Sequence, residues 1–128
     1  MSSLHLTVQA RMLAVCRLAP ETPLPSWSIH GPLISITRTA DELSIVCPEE
    51  QIPDGITIER GWRSLKVEGP LDFALTGILA DLAGTLASAG ISIFAISTFD
   101  TDYLLVKEKV LQEAINALVN AGHHCQTK

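Results

Sequence analysis

Aromatic residues make up only 5% of this 128-residue chain, so its core must be built from Leu, Ile, Val and Ala. Cysteine is scarce as well. Cys16, Cys47 and Cys125 are odd in number and widely spaced, with no CxxC pair, which excludes a disulfide framework and fits a reducing compartment. Basic residues form no cluster beyond isolated pairs, and the formal net charge is −5. Phosphate neutralisation by a basic face dominates nucleic-acid affinity, so that partner class is not expected. No apolar run approaches the roughly 20 residues of a membrane helix, since Asp81, Thr85 and Ser88 interrupt the best candidate. The start, MSSLHLTVQARMLAV, lacks a basic region followed by a sustained apolar one and reads poorly as a signal peptide. The expectation is a cytoplasmic protein. GxSxG, GxGxxG, GxxxxGK[ST] and HExxH are all missing. The expectation is therefore no enzyme and no cofactor, with a Cys125–His30 nucleophile and base as the catalytic alternative.

What is present is apolar and patterned. Hydrophobic residues reach 47% and charged ones 18%, enough for one core or two small, mutually supporting subdomains. SLKVEGP (Ser64 to Pro70) reads as a strand that Gly69-Pro70 ends. Ile78, Leu79, Leu82, Leu86 and Ala89 recur at three- and four-residue spacing and predict a helix from about Gly77 to Ala89. Thr76 suits its N-cap, and Gly90 with Ile91 suits its C-terminal closure. Gly84 reads as a close-packing position within it. ISIFAIS (Ile91 to Ser97), apolar on nearly every residue, predicts a strand covered on both faces, and DYLLVK (Asp102 to Lys107) predicts its neighbour. A second helix from about Glu108 to Ala121 carries Leu111, Ala114, Ile115 and Leu118 on one face. Gly122 ends it, and HHCQT forms a short last strand. The order is β-α-β-β-α-β, a ferredoxin-like arrangement with helices on one face of an antiparallel sheet.

The first half repeats part of this pattern at an offset of 60. Ile36 falls on Ile96, Glu42 on Asp102, Ile45 on Leu105 and Val46 on Val106. Pro20, Pro23 and Pro25 forbid a regular helix where the first should lie, and PEEQIP leaves room for about one turn where the second should lie. The fold class expected is α+β: two ferredoxin-like modules over residues 1–60 and 61–128, the N-terminal one with reduced helices, both with antiparallel sheets.

Between the last two strands of the first hairpin in the second module lies a polar knot, Ser97-Thr98-Phe99-Asp100-Thr101-Asp102. Such residues are what a tight turn needs, because short polar side chains bond local backbone. They are also what a small zwitterion needs. His123 and Cys125 could share a strand face as metal ligands, but two ligands fall short of a zinc set, and His5 and His30 are distant in sequence. No metal is expected. Cys16 and Cys47 read as small core residues.

The stretch GILADLAGTLASAGISIFAISTFDTDYLLVKEKVLQEAINALVNAGH resembles an ACT domain, the ferredoxin-like regulatory module of amino-acid metabolism. It is most similar in type to the modules of lysine-sensitive aspartokinases and of the CASTOR arginine sensors. The shared features are the glycine opening the first helix (Gly77), LASAGIS, STFDTDY and the AGH ending. The resemblance implies amino-acid binding at an interface of paired modules, and regulation without catalysis. It implies a ligand site from the loop before the first helix (Thr76, Gly77, Ile78) and the turn after the second strand (Thr98, Phe99, Asp102). A segment at the edge of the partner module, Ser44 and Ile45, completes it. A helix N-terminus would hold the ligand carboxylate, and Asp102 or Asp100 its ammonium. Thr98 would add a hydroxyl and Phe99 an apolar wall, while for a basic ligand Asp102 would meet the side chain instead. The expected partners are an amino acid or similar small zwitterion, a second copy in a homodimer, and a downstream protein. The alternative is a constitutive interaction module with a vestigial pocket.

Overall fold

The computed structural model describes residues 3–69 and 77–127. It contains β1 (His5–Val8), β2 (Leu13–Leu18), β3 (Ser35–Arg38), β4 (Leu43–Pro48), β5 (Thr57–Val67), α1 (Ile78–Ser88), β6 (Phe94–Ser97), β7 (Asp102–Lys107), α2 (Leu111–Asn120) and β8 (His124–Thr127). The architecture is the expected mixed α+β class, with mostly antiparallel strands and two helices. It divides into two compact units, residues 1–10 with 63–128, and residues 11–62.

In the first of these units the strand order is β6-β7-β5-β1-β8. β1 runs antiparallel to β5, β6 antiparallel to β7, and β8 parallel to β1. Strand alternation points Leu6, Val8, Leu65, Val67, Leu104 and Val106 to one face. There they pack with Leu82 and Leu86 of α1 and Ala114 and Leu118 of α2 in a single buried cluster. The helical spacing read in the sequence thus corresponds to the buried stripe of each helix. α1 closes as Gly90 takes φ 76°, its N–H reaching the Ala87 carbonyl at 2.9 Å while Ile91 N–H reaches Leu86 at 3.0 Å. That paired pattern satisfies two otherwise orphaned carbonyls and needs a residue without a Cβ at the left-handed position.

Three expectations are corrected here. The division at residue 60 assigns the chain start to the first module, yet β1 lies between β5 and β8 and buries Leu6 and Val8 among residues of 63–128. An alternating His-Leu-Thr-Val segment carries no mark of which sheet it will join. ISIFAIS is not covered on both faces: Phe94 and Ile96 are half-buried while Ala95 and Ser97, on the opposite face of β6, are exposed. Gly84 is exposed, and a Cβ built there would meet no atom within 4 Å, so it is no close-packing position.

The 11–62 unit is a β3-β4-β2-β5 sheet with antiparallel pairing throughout. Its core gathers Ala14, Cys16, Leu43, Ile45, Cys47 and Ile52. Where helices would stand, single 3-10 turns occur at Ser26–Ser28 and Glu49–Gln51. The internal repeat survives in hairpin geometry with one change. Ser35 pairs with Val46 and Arg38 with Leu43, as Phe94 pairs with Leu105 and Ser97 with Asp102. The true offset is therefore 59, not 60. A one-residue slip exchanges the two faces of a strand, and the offset of 59 sets buried Ile45 on buried Leu104 and buried Cys47 on buried Val106.

Candidate functional site

The polar knot is a hairpin turn organised by its own side chains. Thr98 N–H donates to the Thr101 carbonyl at 2.8 Å, Thr98 Oγ1 donates to the same carbonyl at 3.0 Å, and Thr101 N–H reaches Thr98 Oγ1 at 3.2 Å. Thr39 plays the part of Thr98 in the β3–β4 turn, where it accepts from Asp41 and Glu42 N–H at 3.1 and 3.2 Å. A threonine at the last position before each turn is thus a structural device common to both hairpins. Ser97 Oγ donates to Asp102 Oδ1 at 2.6 Å across the last rung of β6 and β7. Phe99 stands at the tip and is 80% exposed.

Thr101 was not singled out by its sequence, yet it anchors the turn. It is buried, and its Oγ1 donates to the Val67 carbonyl at 2.6 Å. Val67 is the last residue of β5, the strand from which the chain leads on to α1. A hydroxyl on a turn gives no sequence signal of a contact 34 residues away.

α1 opens at Gly77, which takes φ 80° and supplies the first ladder carbonyl to Asp81 N–H at 2.8 Å. Among the described residues no side chain caps it. Its open N–H groups and the positive end of the helix dipole suit an anion, although Asp81 already places a carboxylate in that first turn. Asp81 also meets His123: Nε2 stands 3.3 Å from Asp81 Oδ2, while Nδ1 accepts from Leu4 N–H at 3.1 Å. An Nδ1 that accepts carries no proton, so Nε2 is the donor towards Asp81. This buried histidine ties α1 to the chain start and is accounted for structurally.

The other expected residues divide as follows. Thr76 lies outside the described residues. Ile78 is half-buried and packs on the core of its unit, while Gly77 is exposed. Ser44 and Ile45 sit on β4, which has β2 on one side and β3 on the other and is thus not an edge. Ile45 is fully buried, so its side chain serves the core. Ser44 lines a cleft of about 200 Å³ with Arg17, Glu42 and Glu59.

Burial pushes the Cys16 and Cys125 thiols up, and burial with neighbouring Cys16 pushes Cys47 up to about 11. A nucleophilic cysteine needs the opposite shift. His5 stacks on His124 with ring centroids 4.6 Å apart, a pairing hidden by 119 residues of separation. Among the described residues, no group of three or more His, Cys, Asp and Glu side chains could hold a metal ion, and no helix is long and apolar enough to cross a membrane.

Known proteins place this geometry. The family model described as ACT domain matches residues 57–120, and a second model, of an N-terminal domain, matches residues 12–55. The human protein named cytosolic arginine sensor for mTORC1 subunit 1 is 45% identical over 58 residues, 44% of this chain but 18% of its own length. This chain thus spans less than a fifth of that curated relative. A crystal structure of a protein from Agrobacterium tumefaciens superposes with TM-score 0.95 at 38% identity, covering 100% of this chain and 96% of that one. The regulatory subunit of aspartate kinase from Thermus thermophilus, in its ligand-free form, shares the fold with TM-score 0.63 at 10% identity, over 91% of this chain and 95% of its own.

Proposed function

The chain belongs to the ACT domain family, and from that premise we propose that it is a non-catalytic regulatory protein that binds a free amino acid. The ligand carboxylate meets the open N–H groups at the mouth of α1, beside Gly77. The ammonium, or a basic side chain, meets Asp102. Thr98 and Phe99 bound the ligand from the turn. The observation that carries this reading is the buried Thr101–Val67 hydrogen bond, which holds the β6–β7 turn against the end of the strand that leads to α1. It fixes the oxygen-rich corner at the end of β5, the strand that precedes α1 in the chain. The human relative named as an arginine sensor supports the same class of ligand, and the aspartate kinase regulatory subunit shares the fold. Occupancy would be passed to a partner protein by a homodimer, provided the ligand favours one of two arrangements.

A second reading has its own support. Thr98 and Asp102 are already hydrogen-bonded inside the turn, and Phe99 projects into solvent. A constitutive interaction module would need no more than that. Thermal denaturation against each of the twenty amino acids separates the two readings. One or a few raise the midpoint in a concentration-dependent way under the sensor reading, and Asp102→Ala abolishes that rise while the unliganded midpoint stays within a few degrees. A flat panel leaves the interaction module.

A further inference from the structure

The helix-free face of the sheet in the 1–10/63–128 unit holds a groove of about 450 Å³ whose lining is polar. It is lined by Thr7 of β1 and Gln9 just beyond it, by Lys66 of β5 and Glu68 just beyond that strand, and by Gln126 and Thr127 of β8; all but Thr127 follow the alternation of their strands. Alternation explains its composition, since the neighbours of these residues, Leu6, Val8, Leu65 and Val67, face the helices. Solvent-facing sheet surface needs polar side chains, but it does not need them wired as these are. Gln126 Nε2 donates to Thr7 Oγ1 at 3.3 Å, and Thr7 Oγ1 donates to Glu68 Oε2 at 2.5 Å. Thr7 is 5% exposed, so this relay holds the carboxylate from inside the sheet. On the other side Ser64 Oγ donates to Gln9 Oε1 at 2.9 Å, which turns the Gln9 amide nitrogen into the group offered to a ligand.

The result is a groove that offers donors from Lys66 and Gln9 and acceptors from Glu68 and the Gln126 carbonyl. Its two charges face each other without closing: Lys66 Nζ stands 4.0 Å from Glu68 Oε1, beyond hydrogen-bond range, with both side chains about a third exposed. An open, solvated pair of this kind contributes little by itself. A ligand that sets a carboxylate on Lys66 and an ammonium on Glu68 exchanges it for two charge-assisted hydrogen bonds. A simple anion or cation would satisfy one charge and strand the other. We propose that this groove is a small-molecule site for a free zwitterion of amino-acid size, separate from the helix mouth at Gly77. It stands whether or not the helix-mouth reading does, because the two use different residues.

The test is an NMR titration of the ¹⁵N-labelled full chain with glycine, L-alanine and L-glutamine, and with acetate and ethylammonium as half-ligands. Saturable shifts are expected at the amides of Thr7, Lys66, Glu68 and Gln126 with at least one zwitterion, at least tenfold weaker in Lys66→Met and in Glu68→Gln. Both variants alter partly exposed groups, so a spectrum of native dispersion checks their fold, and Lys66→Gln replaces the first if it fails that check. No saturable shift at those amides with any of the three zwitterions overturns the proposal. So does equal affinity in the variants, or equal affinity for acetate or ethylammonium alone. Shifts at Gly77, Ile78 and Thr98 report on the helix mouth, so the failure of either site is read separately from the other.

Discussion

Replacing Thr101 with valine tests the contact on which the candidate site depends. The substitution keeps the size and branching of the side chain and removes one hydroxyl. In the native protein that hydroxyl is buried and donates to the Val67 carbonyl at 2.6 Å. Its loss forfeits the hydrogen bond and leaves a carbonyl at the end of β5 short of a buried donor, which costs about 1–3 kcal/mol. The Thr98–Thr101 backbone bonds of the turn remain, so the loss is confined to the anchor. For a chain of this length each kcal/mol moves the thermal midpoint by about 3–5 °C, so a fall of about 3–15 °C is expected. Urea denaturation should show a lower midpoint with an unchanged m-value, since the surface exposed on unfolding is the same. Thr101→Ser, which restores the donor, should recover most of the difference. A Thr101→Val protein within about 0.3 kcal/mol of wild type would refute the reasoning. So would a serine variant as unstable as the valine one.

Other expectations follow from single positions. Gly84→Ala should stabilise the protein by about 0.5–1 kcal/mol, because the residue is inside α1, exposed, and its Cβ would meet nothing within 4 Å; a lower thermal midpoint would show a packing role. The Cys47 thiol is held up to about 11 against an ordinary 9.0, so the folded state keeps a proton that the unfolded state releases between those values. Its stabilisation is complete below pH 9 and is lost as pH rises towards 11, by about 2–3 kcal/mol in all. Denaturation of wild type and Cys47→Ala across pH 8–11 reads this as a steeper decline in wild type, and parallel curves would rule it out.

Much of the secondary structure was legible because it rests on local chemistry. Leu82 and Leu86, or Ala114 and Leu118, recur at helical spacing whatever they pack against, and Gly90 marks a helix end by its own backbone freedom. DYLLVK is β7 to the residue. The prolines that forbid a helix in the first half do so by lacking an N–H, and only a three-residue turn stands between β2 and β3. The site was legible in part. The knot announced itself as a turn, and Gly77 as a helix opening, but the sequence held no sign that Thr101 would reach Val67 or that β4 would be an inner strand.

Composition and periodicity by themselves determined that this protein is an aliphatic-cored α+β protein with two amphipathic helices and a β-α-β-β-α-β second half. Those properties depend on residues within a few positions of one another. Only the tertiary structure decided that β1 joins β5 and β8, that the two hairpins correspond at 59 residues, and that His5 lies on His124 and Lys66 beside Thr7. Strand partners are chosen by burial and backbone pairing over long separations, and a short alternating segment fits the edge of any sheet with a free row of hydrogen-bonding groups.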